Sequence, residues 1–489
     1  MTYARLLDSV LLPAYDRVRG RRYTAQRTFL EQSQWWNEER IRDFQWTELQ
    51  KLLAHVFASV PYLRDKYRAA GIALEDLRSW DDFRRLPPLT RAEINAHPRE
   101  LCSTAYKGKL LPHATGGSTG VPTRFFRTYE SYDWRMAAKD RAYSWSGWRL
   151  GEPALYLWGA PVGSVSRRQQ VKTRAYETIH RQLVINTFSQ SDALWNDIYS
   201  RALRFRPVLV VGYVSSLDAF AAYLRRSKRT IPGVRSAIAA AEPLFEATRR
   251  QIERGIGASL SNTYGSREFM SIGGECEYRH GLHVHAENLI VETRDRDAAE
   301  PSELLITDLH NYGMPFVRYE TGDLGRLGDR SCPCGRGLPL LQSVEGRVLD
   351  ALRTADGRIV PGEFFPHLLK DIPELAQFRV EQKSVDRLVI SAVLTAPLSE
   401  RSNGLLRSEI GKVFGAGTVC ELRAVTRIPE LSSGKRRITV RKPARPPLCS
   451  TTLSPRSSGS APRRDGQLQR ATGTTLRPPS RRRQRRGCR

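Results

Sequence analysis

The sequence predicts an α/β protein: a large N-terminal domain with parallel sheets covered by helices plus an antiparallel subdomain, and a small α+β C-terminal domain. Three observations predict this. Between about 150 and 265, short apolar runs alternate with helix-like stretches, the pattern of parallel strands joined by crossover helices. Between 280 and 345, short strands follow one another with only turns between them. From about 347 to 441 a smaller set of strand and helix patterns continues, and beyond Val440 the composition changes.

Taken in order, residues 1–110 read as helical, with Trp35, Trp36, Phe44, Trp46, Leu49, Leu52, Leu53 and Val56 recurring at helix-like spacings. Pro87-Pro88-Leu89-Thr90-Arg91 breaks that pattern before another short helix. Thr115 to Thr123 is a loop rich in Gly, Ser and Thr. The alternating region offers strands at Ala154–Trp158, Pro207–Val211, Val234–Ala240 and Leu260–Tyr264, with helices at about Ser215 to Arg226 and Leu244 to Arg254. In such folds ligands sit at the carboxyl ends of the strands. The antiparallel candidates are Leu282–Val284, Leu289–Glu292, Glu303–Thr307, Phe316–Tyr319 and Asp323–Leu327, and strands near Leu388–Leu394 and Arg423–Val425 belong to the last unit. The expected domains are 1–345, 346–441 and a basic, disordered tail at 442–489, rich in Pro, Ser, Thr, Gly and Arg with almost no core-forming residues.

A chain of 489 residues exceeds what one hydrophobic core usually serves. The net charge is +27, and the tail contributes 13 Lys and Arg against one acid, Asp465. A basic body favours anionic partners such as nucleotides, and it is equally the outcome of an Arg-rich composition. The tail lacks interleaved aromatics, so no specific nucleic-acid site is expected there. No apolar run approaches the ~18 residues of a membrane span, and Asp8 and Asp16 interrupt the N-terminal apolar stretch. These features lead us to expect no signal peptide, no transmembrane segment and a cytoplasmic address. Seven scattered cysteines do not read as a disulfide framework.

Thr115-Gly116-Gly117-Ser118-Thr119-Gly120 combines a permissive backbone with hydroxyl donors, a composition suited to phosphate oxygens. No lysine follows its last glycine, so it is not the common Gly-x4-Gly-Lys-Ser/Thr loop. Downstream come Asn262-Thr263-Tyr264-Gly265-Ser266-Arg267-Glu268, Arg318-Tyr319-Glu320-Thr321-Gly322-Asp323, Gly346-Arg347-Val348-Leu349-Asp350 and Ser433-Gly434-Lys435. This ordered set resembles the adenylate-forming superfamily of acyl-CoA ligases, and within it the phenylacetate-CoA ligase branch with its CapK-type relatives. The resemblance covers roughly residues 30–441.

The resemblance implies a large domain and a small mobile C-terminal one, with ATP, Mg²⁺, a carboxylic acid and CoA as the molecules handled. It implies that Tyr264 presents its ring to adenine beside Gly265 and Ser266, and that Asp323 accepts hydrogen bonds from the ribose. Glu268 is implied as the Mg²⁺ ligand, Arg347 as a ribose or phosphate contact at the domain join, and Lys435 as the mobile cation of adenylation. Glu242, in Ala240-Ala241-Glu242-Pro243, resembles a segment beside the adenine in which this chain has Ala in place of Gly. The hinge acid is expected two residues after Arg347, where this chain has Leu349 followed by Asp350. Acceptors other than CoA, and a nucleotide-binding protein without catalysis, stay open on these residues.

Cys276, His283, Cys332 and Cys334 offer three thiolates and an imidazole, a ligand set for a closed structural Zn²⁺ site, with His280 and His285 as competing imidazoles. The acyl group is expected near Tyr156–Trp158 and Gly212–Val214. The aromatics Tyr132, Trp134, Tyr143, Trp145 and Trp148 either line that pocket or pack a helix on the sheet.

Overall fold

The buried strand Leu209–Tyr213 explains the centre of the molecule. Its sequence is apolar on both faces, and all five residues are buried, as a central parallel strand requires. The structure, a computed structural model, describes residues 2–115, 123–159, 166–188, 191–295, 302–328, 331–345, 352–356, 359–360, 364–369, 372–428 and 439–441. A hairpin pairs β1 (Leu111–Ala114) with β2 (Arg124–Arg127). Five parallel strands follow: β3 (Ala154–Trp158), β4 (Gln182–Asn186), β5 (Leu209–Tyr213), β6 (Ser236–Ala240) and β7 (Ser259–Tyr264). The apolar faces of the helices Asp192–Phe205, Val214–Arg226 and Glu246–Ile256 cover one side of them.

Of the antiparallel strands expected after residue 280, Leu282–Val284, Leu289–Glu292 and Glu303–Thr307 are present, whereas Phe316–Tyr319 is no separate strand: Tyr319 opens the one strand that holds Asp323–Leu327, and all continue the same sheet together with two strands not expected, at 273–275 and 340–345. The strands of this half are β8 (Gly273–Glu275), β9 (Leu282–Val284), β10 (Leu289–Thr293), β11 (Ser302–Asp308), β12 (Tyr319–Leu327) and β13 (Leu340–Glu345). The eleven strands run β10-β11-β12-β13-β9-β8-β7-β6-β5-β3-β4. β7 is the junction, parallel to β6 on one edge and antiparallel to β8 on the other. Strand hydrogen bonding therefore carries straight from one half to the other, which turn spacing in the sequence does not reveal.

A second sheet holds β16 (Leu375–Ser384), β17 (Arg387–Leu394), β18 (Val419–Ala424) and β19 (Thr439–Arg441), after a two-stranded pair β14 (Leu352–Arg353) and β15 (Ile359–Val360). The helix Glu400–Phe414 packs its buried face of Leu406, Ile410, Val413 and Phe414 against it. Phe188, just after β4, and Tyr213, the last residue of β5, share this core, and Phe188 meets Phe364 edge-on at 5.6 Å. The expected join at Gly346–Asp350 and the tail at 442–489 lie outside the described residues.

The helix Tyr129–Ser144 decides the shape of the site. Thr128 caps it by accepting from the Ser131 N–H. Its Arg135 pairs with Asp308 at 2.5 Å and its Arg141 with Glu287 at 2.6 and 2.9 Å, all four side chains being 0 % exposed. Such pairs satisfy each other where an unpaired charge would be costly. They lock the helix onto the antiparallel half of the sheet. Tyr132, Lys139 and Tyr143 recur at near-integral helical turns and face the open side.

Candidate active site

A cleft of about 1910 Å³ opens at the carboxyl ends of the parallel strands, where open α/β sheets bind ligands. The ends of β3, β5, β6 and β7 supply Trp158, Tyr213, Ala240 and Tyr264 to its wall. The turn from β7 to β8 adds Gly265, Ser266, Arg267 and Glu268, and β12 adds Asp323. A side chain at Gly265 would run into the Met270 carbonyl oxygen, so this tight turn requires glycine.

The carboxylates of this wall are held by neighbours rather than by one another. The Tyr264 hydroxyl donates to Asp323 Oδ2 at 2.9 Å, and the Tyr319 hydroxyl donates to Glu268 Oε1 at 3.1 Å. Arg91 Nη2 stands 3.7 Å from the same Glu268 oxygen. Arg91 reaches it because Leu89 bridges to β12: the Leu89 N–H donates to Arg318 O, and Leu89 O accepts from the Glu320 N–H. Thr90 then caps the helix Arg91–Ala96 in a capping box with Glu93. Arg318, in the same motif as Asp323, is 8 % exposed and donates to Arg84 O and Leu86 O. It is therefore a frame residue.

Glu242 accepts from the Ser215 N–H at 2.6 Å and from its hydroxyl at 2.9 Å, capping the helix Val214–Arg226 at the cleft. Burial raises the pKa of this carboxyl, against those two hydrogen bonds. Ala241 beside it has φ 66, the left-handed region that glycine adopts freely. The Ala that replaces Gly here thus keeps the backbone conformation at a cost.

The neck of the expected phosphate loop is a closed pair. The Thr115 N–H donates to Thr123 O, and the Thr123 N–H donates to Thr115 Oγ1, both at 2.9 Å. Thr115 lines the cleft. Gly116, Gly117, Ser118, Thr119 and Gly120 lie outside the described residues, as do Arg347 and Lys435. Next to the neck, Arg127 contacts His113, and its guanidinium lies 5.0 Å from the Tyr132 ring centroid. Burial and the nearby Arg135 lower the Arg127 pKa to about 10, with Arg267 adding to the effect. Crowded cations of this kind suit a polyanion. Arg91, His113, Arg127 and Lys139 are cleft residues that motif reading misses, because their positions follow from strand bridging and helix phase.

The Cys/His set converges. The ligand atoms of Cys276, His283, Cys332 and Cys334 all lie within 4.8 Å of one another. Cys276 Sγ is 3.6 Å from Cys332 Sγ, and Cys334 Sγ is 3.4 Å from His283 Nε2. Ligands about 2.0–2.3 Å from a tetrahedral metal stand roughly 3.4–3.8 Å apart, so the spacing fits Zn²⁺. Burial, then Arg336, lowers the His283 pKa to about 4, which keeps the imidazole neutral as a ligand must be. The Arg336 N–H reaches Cys334 Sγ at 3.5 Å. Of the two competing imidazoles, His285 is bound to Ser271 and Arg141, and His280 lines the cleft instead.

Of the five aromatics, Tyr132 and Tyr143 line the cleft, whereas Trp134, Trp145 and Trp148 are core residues. At the far wall Trp158 stacks on Tyr213 at 4.5 Å.

Residues 352–442 match the family model of the CapK C-terminal domain. The chain is 28% identical over 355 residues to the phenylacetate-coenzyme A ligase of Thermus thermophilus, covering 69% of this chain and 77% of that one. The chain is thus similar to the phenylacetate-coenzyme A ligases over about two thirds of its length. The enzyme of that name from Escherichia coli is 25% identical over 349 residues, covering 68% and 77%. Among solved structures, a 2-hydroxyisobutyryl-CoA ligase with 2-HIB-AMP and CoA bound aligns with a TM-score of 0.55 at 21% identity, covering 83% of this chain and 90% of that one. At that identity the likeness establishes the fold alone.

Proposed function

We propose that this chain is an AMP-forming acid–thiol ligase that activates a carboxylic acid as its acyl-adenylate and passes the acyl group to coenzyme A. The observation that carries the reading is the gathering of Thr115, Tyr264, Glu268 and Asp323 on one cleft at the strand ends, with Arg91 and Arg127 beside them. In the first step an oxygen of the acid attacks the α-phosphate of ATP and pyrophosphate leaves. In the second the CoA sulfur attacks the acyl carbon, and AMP leaves as its carboxyl-bound oxygen takes the electron pair.

Tyr264 supplies a flat surface for adenine, and Asp323 accepts from the ribose hydroxyls. The loop 115–120 and Arg127 hold the phosphates. Glu268 is one carboxylate on the cleft wall, the share a protein commonly gives to a Mg²⁺–nucleotide site. Glu268 would hold Mg²⁺ there, and the ion would supply neutralisation of phosphate charge. Residues 346–441 act as the small domain, with Arg347 at its join and Lys435 brought to the reacting carboxylate when that domain turns. Cys276, His283, Cys332 and Cys334 hold a structural Zn²⁺. Use of ATP and CoA places the enzyme in the cytoplasm, and no helix among the described residues is long and apolar enough to cross a membrane.

The test is acid-dependent exchange of labelled pyrophosphate into ATP with Mg²⁺ present, over aromatic, fatty and hydroxy acids. Exchange with at least one acid, followed by acyl-CoA and AMP on adding CoA, is the expected result. No exchange with any acid overturns the reading.

A further inference from the structure

The cleft has a polar end that neither adenylation nor CoA transfer requires. Lys139 lines the cleft with its side chain 16% exposed, and its Nζ lies 2.9 Å from Asp140 Oδ1. The Tyr23 hydroxyl donates to the other oxygen of Asp140 at 2.6 Å. The carboxylate thus sits behind the ammonium, held from two sides, while Asp140 itself is not part of the cleft wall. Burial works against the Lys139 charge, but Asp140 and the tyrosines Tyr156, Tyr176 and Tyr143 outweigh it, so the ammonium is retained. Beside Lys139, β3 alternates: Leu155 and Leu157 enter the core, and Tyr156 and Trp158 line the cleft. The Tyr156 hydroxyl is buried without a hydrogen-bond partner among the described residues.

These groups lie at the end of the cleft away from the phosphates. Tyr132, whose ring lies beside Arg127, is seven residues before Lys139 on one helix. At 1.5 Å per residue that is roughly 10 Å along the axis. One turn beyond Lys139 the Tyr143 ring lies 5.4 Å from its Nζ, and the cleft wall also carries Trp158 stacked on Tyr213. A planar acid with its carboxylate toward the phosphate side points its far end at Lys139 and Tyr156.

We infer that the acid is an aryl acid bearing a ring hydroxyl, which accepts a hydrogen bond from the Lys139 ammonium and exchanges one with the Tyr156 hydroxyl. This rests on the ligase reading above and names its substrate class. A neutral hydroxyl fits better than a second carboxylate, because Asp140 already balances Lys139. An unsubstituted ring leaves the buried Tyr156 hydroxyl without a partner, and sites with buried polar groups reject such analogues strongly.

The experiment measures pyrophosphate exchange by the full chain with phenylacetate, its meta- and para-hydroxy derivatives and para-carboxyphenylacetate. A hydroxy acid is expected to exceed phenylacetate in kcat/KM at least tenfold. Lys139→Met and Tyr156→Phe are expected to lower that ratio at least fivefold through the KM of the acid, with the KM for ATP tracking the wild type. A merely structural loss lowers both acids together and leaves the ratio alone, which overturns the inference. Preference for phenylacetate or for the dicarboxylate in the wild type overturns it without any variant. Exchange with no acid overturns the ligase reading and this one with it, whereas exchange confined to unsubstituted acids overturns this one only.

Discussion

The Cys/His cluster and the cleft at the strand ends grow from the same part of the sheet and are built in opposite ways. Cys276 follows β8, His283 lies in β9, and Cys332 with Cys334 precede β13, so the four ligand atoms are drawn to within 4.8 Å. In the cleft, Glu268, Asp323 and Glu242 stay apart, engaged respectively by Tyr319 with Arg91, by Tyr264, and by Ser215. The difference follows from ligand size. A single ion needs every donor within one bond length, whereas a nucleotide spreads its charge and hydrogen bonds over its whole length. The first arrangement suits one small ion, and the second suits an extended ligand.

The comparison breaks most sharply if the cluster is dispensable. Cys332→Ala, or extraction by a strong chelator, is expected to cost on the order of 5 kcal/mol of stability, a part of what structural Zn²⁺ contributes in small domains. Metal analysis of the purified protein should find one Zn per chain. A metal-free protein with an unchanged denaturation midpoint would sink the assignment.

The frame between the sites gives the next effect. Arg141→Met leaves Glu287 buried without its guanidinium, at a cost of about 3–5 kcal/mol, read by urea denaturation. A loss under about 1 kcal/mol would show that Glu287 finds another partner.

In the cleft the effect falls on activity rather than stability. Glu268→Gln keeps the shape and removes the charge, and pyrophosphate exchange is expected to drop on the order of 100-fold, equivalent to about 2.7 kcal/mol. Its denaturation midpoint should remain near that of the wild type. An equal loss of both would move Glu268 from the reaction to the frame.

The smallest effect is at Ala241. Its positive φ costs about 1–2 kcal/mol in an alanine, partly offset by the flexibility glycine adds to the unfolded chain. Ala241→Gly should therefore stabilise by about 0.5 kcal/mol. Destabilisation would show that the methyl group packs usefully at the cleft edge.

Much of this was legible in the sequence. The strands β3, β5, β6 and β7, the antiparallel run after residue 280, and Tyr264, Glu268, Asp323 and the four metal-ligand candidates were all read from local pattern and motif order. Local pattern suffices there because β strands announce themselves by apolar runs, and ligand types by their chemistry. The strand β4 was missed because its exposed and half-buried residues alternate too weakly.

What only the tertiary structure decided is which distant groups meet. Arg91 stands by Glu268 because Leu89 bridges to Tyr319, 230 residues away in sequence. Lys139 joins Tyr156 at one wall because two buried ion pairs fix the helix that carries it. His283 rather than His285 meets the thiols because His283 lies within β9, whereas His285 comes after the strand ends and is held by Arg141 and Ser271. Composition and spacing set what each residue can do. Register and helix phase, which depend on the whole packed sheet, set which partner it does it with.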